Sequence, residues 1–195
     1  MGARHGFFLS VELKAAGNAA RSALEALQEK MGLRDVVSDL DREELWEIDV
    51  EAGTQSDARE TLERLVRTTN LCANPNKHKY TLAALGGAEP GPTSWAAGLG
   101  DDEVAVLVTD RESTEGESVL SAIRRIGVDD VVSIRKWTRW RIHLAEPPTR
   151  GDPDVLALIR KIGVATGRRD GLLSNPHSQI SRAILPWGEE KVLAA

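Results

Sequence analysis

Met31-Gly-Leu-Arg-Asp-Val-Val-Ser38 returns as Ile126-Gly-Val-Asp-Asp-Val-Val-Ser133, 95 residues further along the chain. Three more blocks recur in the same order. Ala23-Leu-Glu-Ala-Leu27 matches Val119-Leu-Ser-Ala-Ile123 at 96 residues, Trp46-Glu-Ile-Asp-Val50 matches Trp140-Arg-Ile-His-Leu144 at 94, and Leu71-Cys-Ala-Asn-Pro75 matches Leu172-Leu-Ser-Asn-Pro176 at 101. Chance supplies one such block, but four in register mark an internal duplication.

Each copy reads as the same run of elements. Phe7 to Leu13 alternates apolar and polar residues as a strand does. Asn18 is a helix-cap residue, and Ala20, Ala23, Leu24, Leu27 and Met31 then share one helical face, with Gly32 suited to the helix end. Val36 begins a second strand, polar Asp39–Glu44 reads as a turn, and Leu45 to Val50 reads as a third strand with Trp46, Ile48 and Val50 inward. Asp57 is a candidate cap for a second helix burying Leu62, Leu65 and Val66. Asn74-Pro75 is expected to stop that helix before a strand over 77–82.

In the second copy the expected elements are a strand over 104–108 and a helix over 116–126 with Val119, Ala122, Ile123 and Ile126 inward. A hairpin over 131–135 and 139–144, a helix from Pro153 to about 164 and a strand near 180–185 follow. The expected fold is α+β: two tandem β-α-β-β-α-β units packed as a pseudo-dimer. Unit 1 covers 1–85, a Gly/Pro-containing linker 86–102, unit 2 103–185 and a loose C-terminal tail 186–195, with Trp95 and Trp187 as docking anchors.

Composition narrows the function classes. The chain has 195 residues, a net charge of -5 and 41% hydrophobic residues, a balance that suits a packed core and argues against a basic nucleic-acid binder. Cys72 is the single cysteine, so neither an internal disulfide nor a cysteine-based metal site is expected. The apolar run near the N-terminus is short for a signal peptide, and no stretch approaches a membrane span. A soluble, cytoplasmic protein with no membrane association is therefore expected.

The motifs that carry chemistry are sparse. The sequence has no phosphate-binding Gly-x-x-x-x-Gly-Lys run and no Gly-x-Ser-x-Gly elbow, and His5, His78, His143 and His177 have no helical spacing to one another. No catalytic, cofactor-binding or metal-ligating residues are assigned. Arg135-Lys-Trp-Thr-Arg-Trp-Arg141 mixes cations and aromatics as single-strand nucleic-acid sites do, but the acidic neighbours of Trp46 at the matching position favour a structural hairpin. Gly167-Arg-Arg-Asp-Gly171 reads as a solvated loop in preference to a phosphate cradle.

Several of these blocks carry a family resemblance. Val11-Glu-Leu-Lys14 resembles the first-strand ending of PurS, the small subunit of formylglycinamidine ribonucleotide synthase. Asp130-Val-Val-Ser-Ile-Arg135 with Trp137 resembles its hairpin, and the two Asn-Pro blocks resemble its last stop. The chain departs from the family in the loop before the first helix, where Ala16-Gly-Asn18 and Ser113-Thr-Glu-Gly116 replace the common Asp-Pro-Gln-Gly. The resemblance implies a non-catalytic accessory role without a cofactor, in a ligase that makes formylglycinamidine ribonucleotide for purine biosynthesis. Its partners would be a PurL-like synthetase and a PurQ-like glutaminase. The alternatives are a freestanding ligand-sensing regulatory module and, third, an RNA-binding module. Self-association of the chain is left open.

The two copies differ in charge. Glu47 and Asp49 lie opposite Trp46 on one strand, and Arg141 and His143 lie opposite Trp140 on its counterpart. These four residues are the candidate interface between the repeats, each cross-strand pair contributing roughly 0.2–1 kcal/mol.

Overall fold

A computed structural model describes residues 2–14, 17–85, 94–96, 98–167 and 171–193. Most of the expected linker core, 86–93, and the arginines at 168–169 of the Gly/Arg loop lie outside the described residues. The described elements are mixed α and β, as expected. In chain order they are β1 (Ala3–Leu13), α1 (Asn18–Glu25, continued by a π-helical turn Ala26–Lys30), β2 (Val37–Ala52), α2 (Gln55–Thr68) and β3 (His78–Ala84). After a 3-10 turn at Ser94–Ala96 come β4 (Glu103–Asp110), α3 (Glu115–Arg125), β5 (Val131–Leu144), α4 (Pro153–Gly163), β6 (Gln179–Ile184) and β7 (Glu190–Val192).

Two expected hairpins are absent. β2 runs unbroken through 39–44, and β5 runs unbroken through 136–138. Neither segment contains the Gly, Pro or Asn that a tight turn demands. Their polar side chains are instead satisfied within strands: Ser10 donates to Glu43, and Lys136 reaches Glu44. Each copy is therefore β-α-β-α-β, not β-α-β-β-α-β.

The chain folds into two compact units, each drawing on both sequence copies. One comprises Met1–Ala15, Glu43–Glu89 and Ser113–Trp137, and the other comprises Ala16–Arg42, Pro90–Glu112 and Thr138–Ala195. β2 and β5 each contribute one half to each unit.

In the first unit β1 pairs antiparallel with both β3 and β2, with Leu9 opposite Leu82 and Trp46. Phe7, Leu9 and Val11 of β1 join Trp46, Ile48 and Val50 of β2 under Ala58, Leu62, Leu65 and Val66 of α2. The second helix on this core is α3, from the other sequence copy, through Ile123. Gly116 lets α3 approach β5: a Cβ there would stand 2.4 Å from the Ile134 carbonyl oxygen.

In the second unit β4 pairs antiparallel with β5 and β6, and β6 with β7. The core combines Val104, Val106 and Val108 of β4 with Ile142 and Leu144 of β5 and Val155, Ile159 and Ile162 of α4. Its other helix comes from the first copy: Leu27 is buried here, with Ala23, Leu24 and Met31 packed alongside. The amphipathic faces of α1 and α3 were legible, but each helix packs in the unit that its preceding strand does not belong to.

Local details refine the sequence reading. Gly32 and Gly127, at matching positions after α1 and α3, both take positive φ (69° and 82°), the left-handed conformation that glycine adopts at low cost. Thr54, not Asp57, caps α2 by accepting the Asp57 N–H. α2 ends at Thr68, so Asn74 stops no helix. Asn74 and Asn175 each accept from the N–H two residues on, closing Asx turns that launch β3 and β6. Ile126 is exposed, because it lies past the end of α3. Within the expected loose tail, the described residues are anchored: β7 pairs with β6, Leu193 is buried, and Trp187 packs on the core.

The close approach at Gly116 gives a direct test. Alanine is the better helix former by about 1 kcal/mol, yet its methyl group would push into a backbone oxygen. Gly116→Ala is expected to lower the unfolding free energy by about 1–3 kcal/mol in urea denaturation, whereas equal or greater stability would show that the helix does not sit this close.

Candidate functional site

The residues expected at the interface between the repeats all lie on β2 and β5, opposite the tryptophan face. In the first unit Asp49 accepts hydrogen bonds from Arg4 and Ser133, and Arg4 Nη2 also donates to Ser133 Oγ at 3.2 Å. Glu47 Oε2 accepts from Trp137 Nε1 at 3.2 Å, and Arg135 lies 5.9 Å from the Trp137 ring centre. Trp137, expected in the basic–aromatic hairpin, is almost fully buried, and Glu43 on the neighbouring strand is buried with it.

In the second unit Asp41 Oδ2 meets Arg141 Nη2 at 3.3 Å and His143 Nε2 at 3.1 Å. His143 Nδ1 lies 3.2 Å from Glu103 Oε1, while Glu103 Oε2 accepts from the Gly100 N–H. Arg139 Nη1 donates to the Trp95 carbonyl at 3.2 Å, so Trp95 has its docking point. Each of the four sequence-selected residues thus contacts the strand of the other copy. Glu47 meets Trp137, Asp49 meets Ser133, and Arg141 and His143 meet Asp41. Asp41 was missed because 39–44 was read as a turn.

The tryptophan face repeats one device in both units. Lys136 Nζ sits 5.1 Å from the Trp46 ring centre, and Arg42 Cζ sits 5.7 Å from that of Trp140. Both cations lie 94 residues apart in sequence, as the tryptophans do. Such contacts are worth about 0.5–1 kcal/mol when exposed and more when desolvated. The environments differ in depth: Trp46 is 2% exposed, whereas Trp140 is only partly buried. Lys136 also contacts Glu44 at 3.1 Å and Glu115 at 2.7 Å, tying β5 to β2 and to the start of α3. Burial alone would lower its pKa, but the hydrogen bond to Glu115 and the charge of Glu44 outweigh that and raise it. A lysine held charged in this way braces the strand and is a poor nucleophile.

Cys72 is buried in the first unit's core. Burial pushes its thiol up to about 12, against the opposing pull of Lys136, which suppresses the thiolate that a nucleophile needs.

The second unit also has a hollow of about 460 Å3, open to solvent. Asp35 and Val36 form one side, the loop from Leu144 to Thr149 a second, and Asp152, Asp154, Val155 and Leu158 of the α4 start a third. The cause is a loop length: two residues join β2 to α2, but eight join β5 to α4. Asp152 caps α4 by accepting the Asp154 N–H at 2.9 Å. Among the described residues no group of His, Cys, Asp or Glu has the arrangement of a metal site, and no helix is long and apolar enough to cross a membrane.

No protein-family model matches the chain. No curated protein matches it at significant similarity.

The Cys72 environment predicts a pH effect. The folded thiol ionises near 12 and the unfolded one near 9.0, so between these values the unfolded chain holds fewer protons and stability falls as pH rises. Urea denaturation at about pH 7 and about pH 10 is expected to show a smaller alkaline loss for Cys72→Ala than for the parent chain. Equal losses would contradict the assignment.

Proposed function

We propose that the chain is a PurS-like assembly component of a glutamine-dependent, ATP-using synthase, the enzyme that converts formylglycinamide ribonucleotide to formylglycinamidine ribonucleotide. Its contribution is structural and the catalytic groups belong to its partners. The observation that supports this reading is the interleaving of the two sequence copies. Each compact unit takes strand segments and one helix from each copy, as expected of two self-pairing subunits fused into one chain.

The polar groups on β2 and β5 favour the same role. Asp41, Glu44, Glu47 and Asp49 are engaged by side chains of β5, so the most concentrated set of charges along the shared strands is committed to structure.

Reconstitution tests the proposal. Purified alone, the chain is expected to turn over neither ATP nor glutamine. Affinity purification from its native cells is expected to bring down a synthetase and a glutaminase polypeptide. Adding the chain to those two polypeptides should raise glutamine-dependent amidation of formylglycinamide ribonucleotide by about tenfold or more, the span of a modest coupling free energy. Equal amidation with and without the chain would overturn the reading.

A further inference from the structure

The two copies finish their sheets differently. β3 and β6 occupy matching places, 101 residues apart, each launched by an Asx turn at Asn74 or Asn175. The outer edge of β6 is covered by β7: the Leu193 N–H donates to the Ser181 carbonyl and the Leu185 N–H to the Glu189 carbonyl, both at 2.9 Å. β3, by contrast, is an edge strand. Its register turns the backbone groups of Lys79, Thr81 and Ala83 toward β1, in phase with the Lys14–Lys77 and Leu85–Gly6 hydrogen bonds at its two ends. Those of Tyr80, Leu82 and Ala84 therefore point outward. Among the described residues, the Leu82 carbonyl alone of these outward groups has a partner, Arg59 Nη1 at 3.2 Å.

Side-chain burial records the same difference. Ser181, Ala183 and Leu185 are buried beside β7. Their counterparts Tyr80, Leu82 and Ala84 are only half-buried, at the margin of the first unit's core. The residues 101 positions before β7 are Glu89-Pro-Gly91, and a proline has no N–H to offer an edge. Charge distinguishes the open edge as well. Positions 77–85 contain Lys77, His78 and Lys79 and no carboxylate. With Arg59 these cations outnumber their acidic neighbours, Glu12 opposite Lys79 on β1 and Glu63 at 3.8 Å from Arg59. Edge cations discourage pairing of like with like, because a second copy would bring its own Arg59 and Lys79 to the same seam.

We propose that the β3 edge docks an extended acidic and apolar segment of a partner polypeptide, which adds as a strand antiparallel to β3 in the way that β7 adds to β6. Tyr80 and Leu82 would exchange backbone hydrogen bonds with it. β7 supplies the pattern of the occupant, since the side chain of Leu193, opposite Ser181, is buried on the helix side of the sheet. In the same register an apolar residue would lie opposite Tyr80, a carboxylate opposite Leu82 would meet Arg59, and a second carboxylate would meet Lys79. The inference stands on this edge and does not rest on the synthase reading, so either can fail without the other.

The test is a heteronuclear NMR titration of the full chain with the end-blocked peptide Ser-Glu-Glu-Val-Leu-Glu-Ser. The control is Ser-Lys-Lys-Val-Leu-Lys-Ser. The acidic peptide should saturate, with the largest shifts at the Tyr80 and Leu82 amides and smaller ones at Lys79 and Thr81, whose N–H groups already serve β1. The basic peptide should bind at least about fivefold more weakly. Lys79→Gln, a change at an exposed residue, should keep the melting temperature and weaken the acidic peptide about threefold. Four results would overturn the proposal: no saturation, equal affinity for the two peptides, unchanged affinity in Lys79→Gln, or concentration-dependent shifts at Tyr80 and Leu82 without any peptide. The last would give the edge to a second copy of the chain.

Discussion

The pairing of acidic β2 with basic β5 is the interaction on which the rest of the structure depends. Along β2 the carboxylates of Asp41, Glu44, Glu47 and Asp49 each find a partner on β5: Arg141 and His143, Lys136, Trp137 and Ser133. Both strands would be poor candidates for long, regular segments without these contacts, since charged residues in strands are tolerated when a cross-strand partner answers them. A duplicated chain permits this, because its two copies can diverge to opposite charge. An acidic strand facing its own identical copy would repel. The stabilisation from any single exposed pair is small, up to about 1 kcal/mol, so the ladder works chiefly by fixing which strand pairs with which.

Interleaving follows from those two long strands. β2 and β5 each leave one compact unit and continue into the other, and α1 and α3 are buried with the half-strands of the opposite copy. Neither copy alone holds a complete core. The first contributes buried Leu27, Leu33, Val37 and Leu40 to a cluster whose other buried members come from the second, and the second contributes buried Ile123 and Val131 to a cluster whose other buried members come from the first. Burying a residue such as Leu27 or Ile123 stabilises by about 1.5–3 kcal/mol relative to exposure, so exchange of the helices has real energetic weight.

Much of this was legible in the sequence. The duplication, the inward faces of the helices apart from Ile126, the helix-end glycine at 32 and the inward set Trp46, Ile48 and Val50 could all be read from spacing. The misreadings have physical causes. Polarity at 39–44 resembled a turn because partners on a neighbouring strand are invisible in a single sequence; the missing Gly, Pro and Asn were the better signal. Trp137 looked like a hairpin aromatic and proved to be the more deeply buried tryptophan of β5, with Trp140 at an edge of the other core. An amphipathic face shows that α1 and α3 are buried but not against what, so the exchange could not be foreseen. The hollow beside α4 was hidden for a similar reason: Ala145 to Asp152 reads as an ordinary connector until its walls are brought together.

β2 and β5 are unbroken strands, and each gives one part to each of two units built from both sequence copies. Native-state amide hydrogen exchange tests this at the two places where the sequence reads as a turn. Those amides within 41–44 and 136–138 that point toward the other long strand are expected to be as protected as those of Ile48 and Ile142, exchanging only through opening of the core. Fast exchange at those amides beside slow exchange at Ile48 and Ile142 would restore the two hairpins and contradict the interleaved fold.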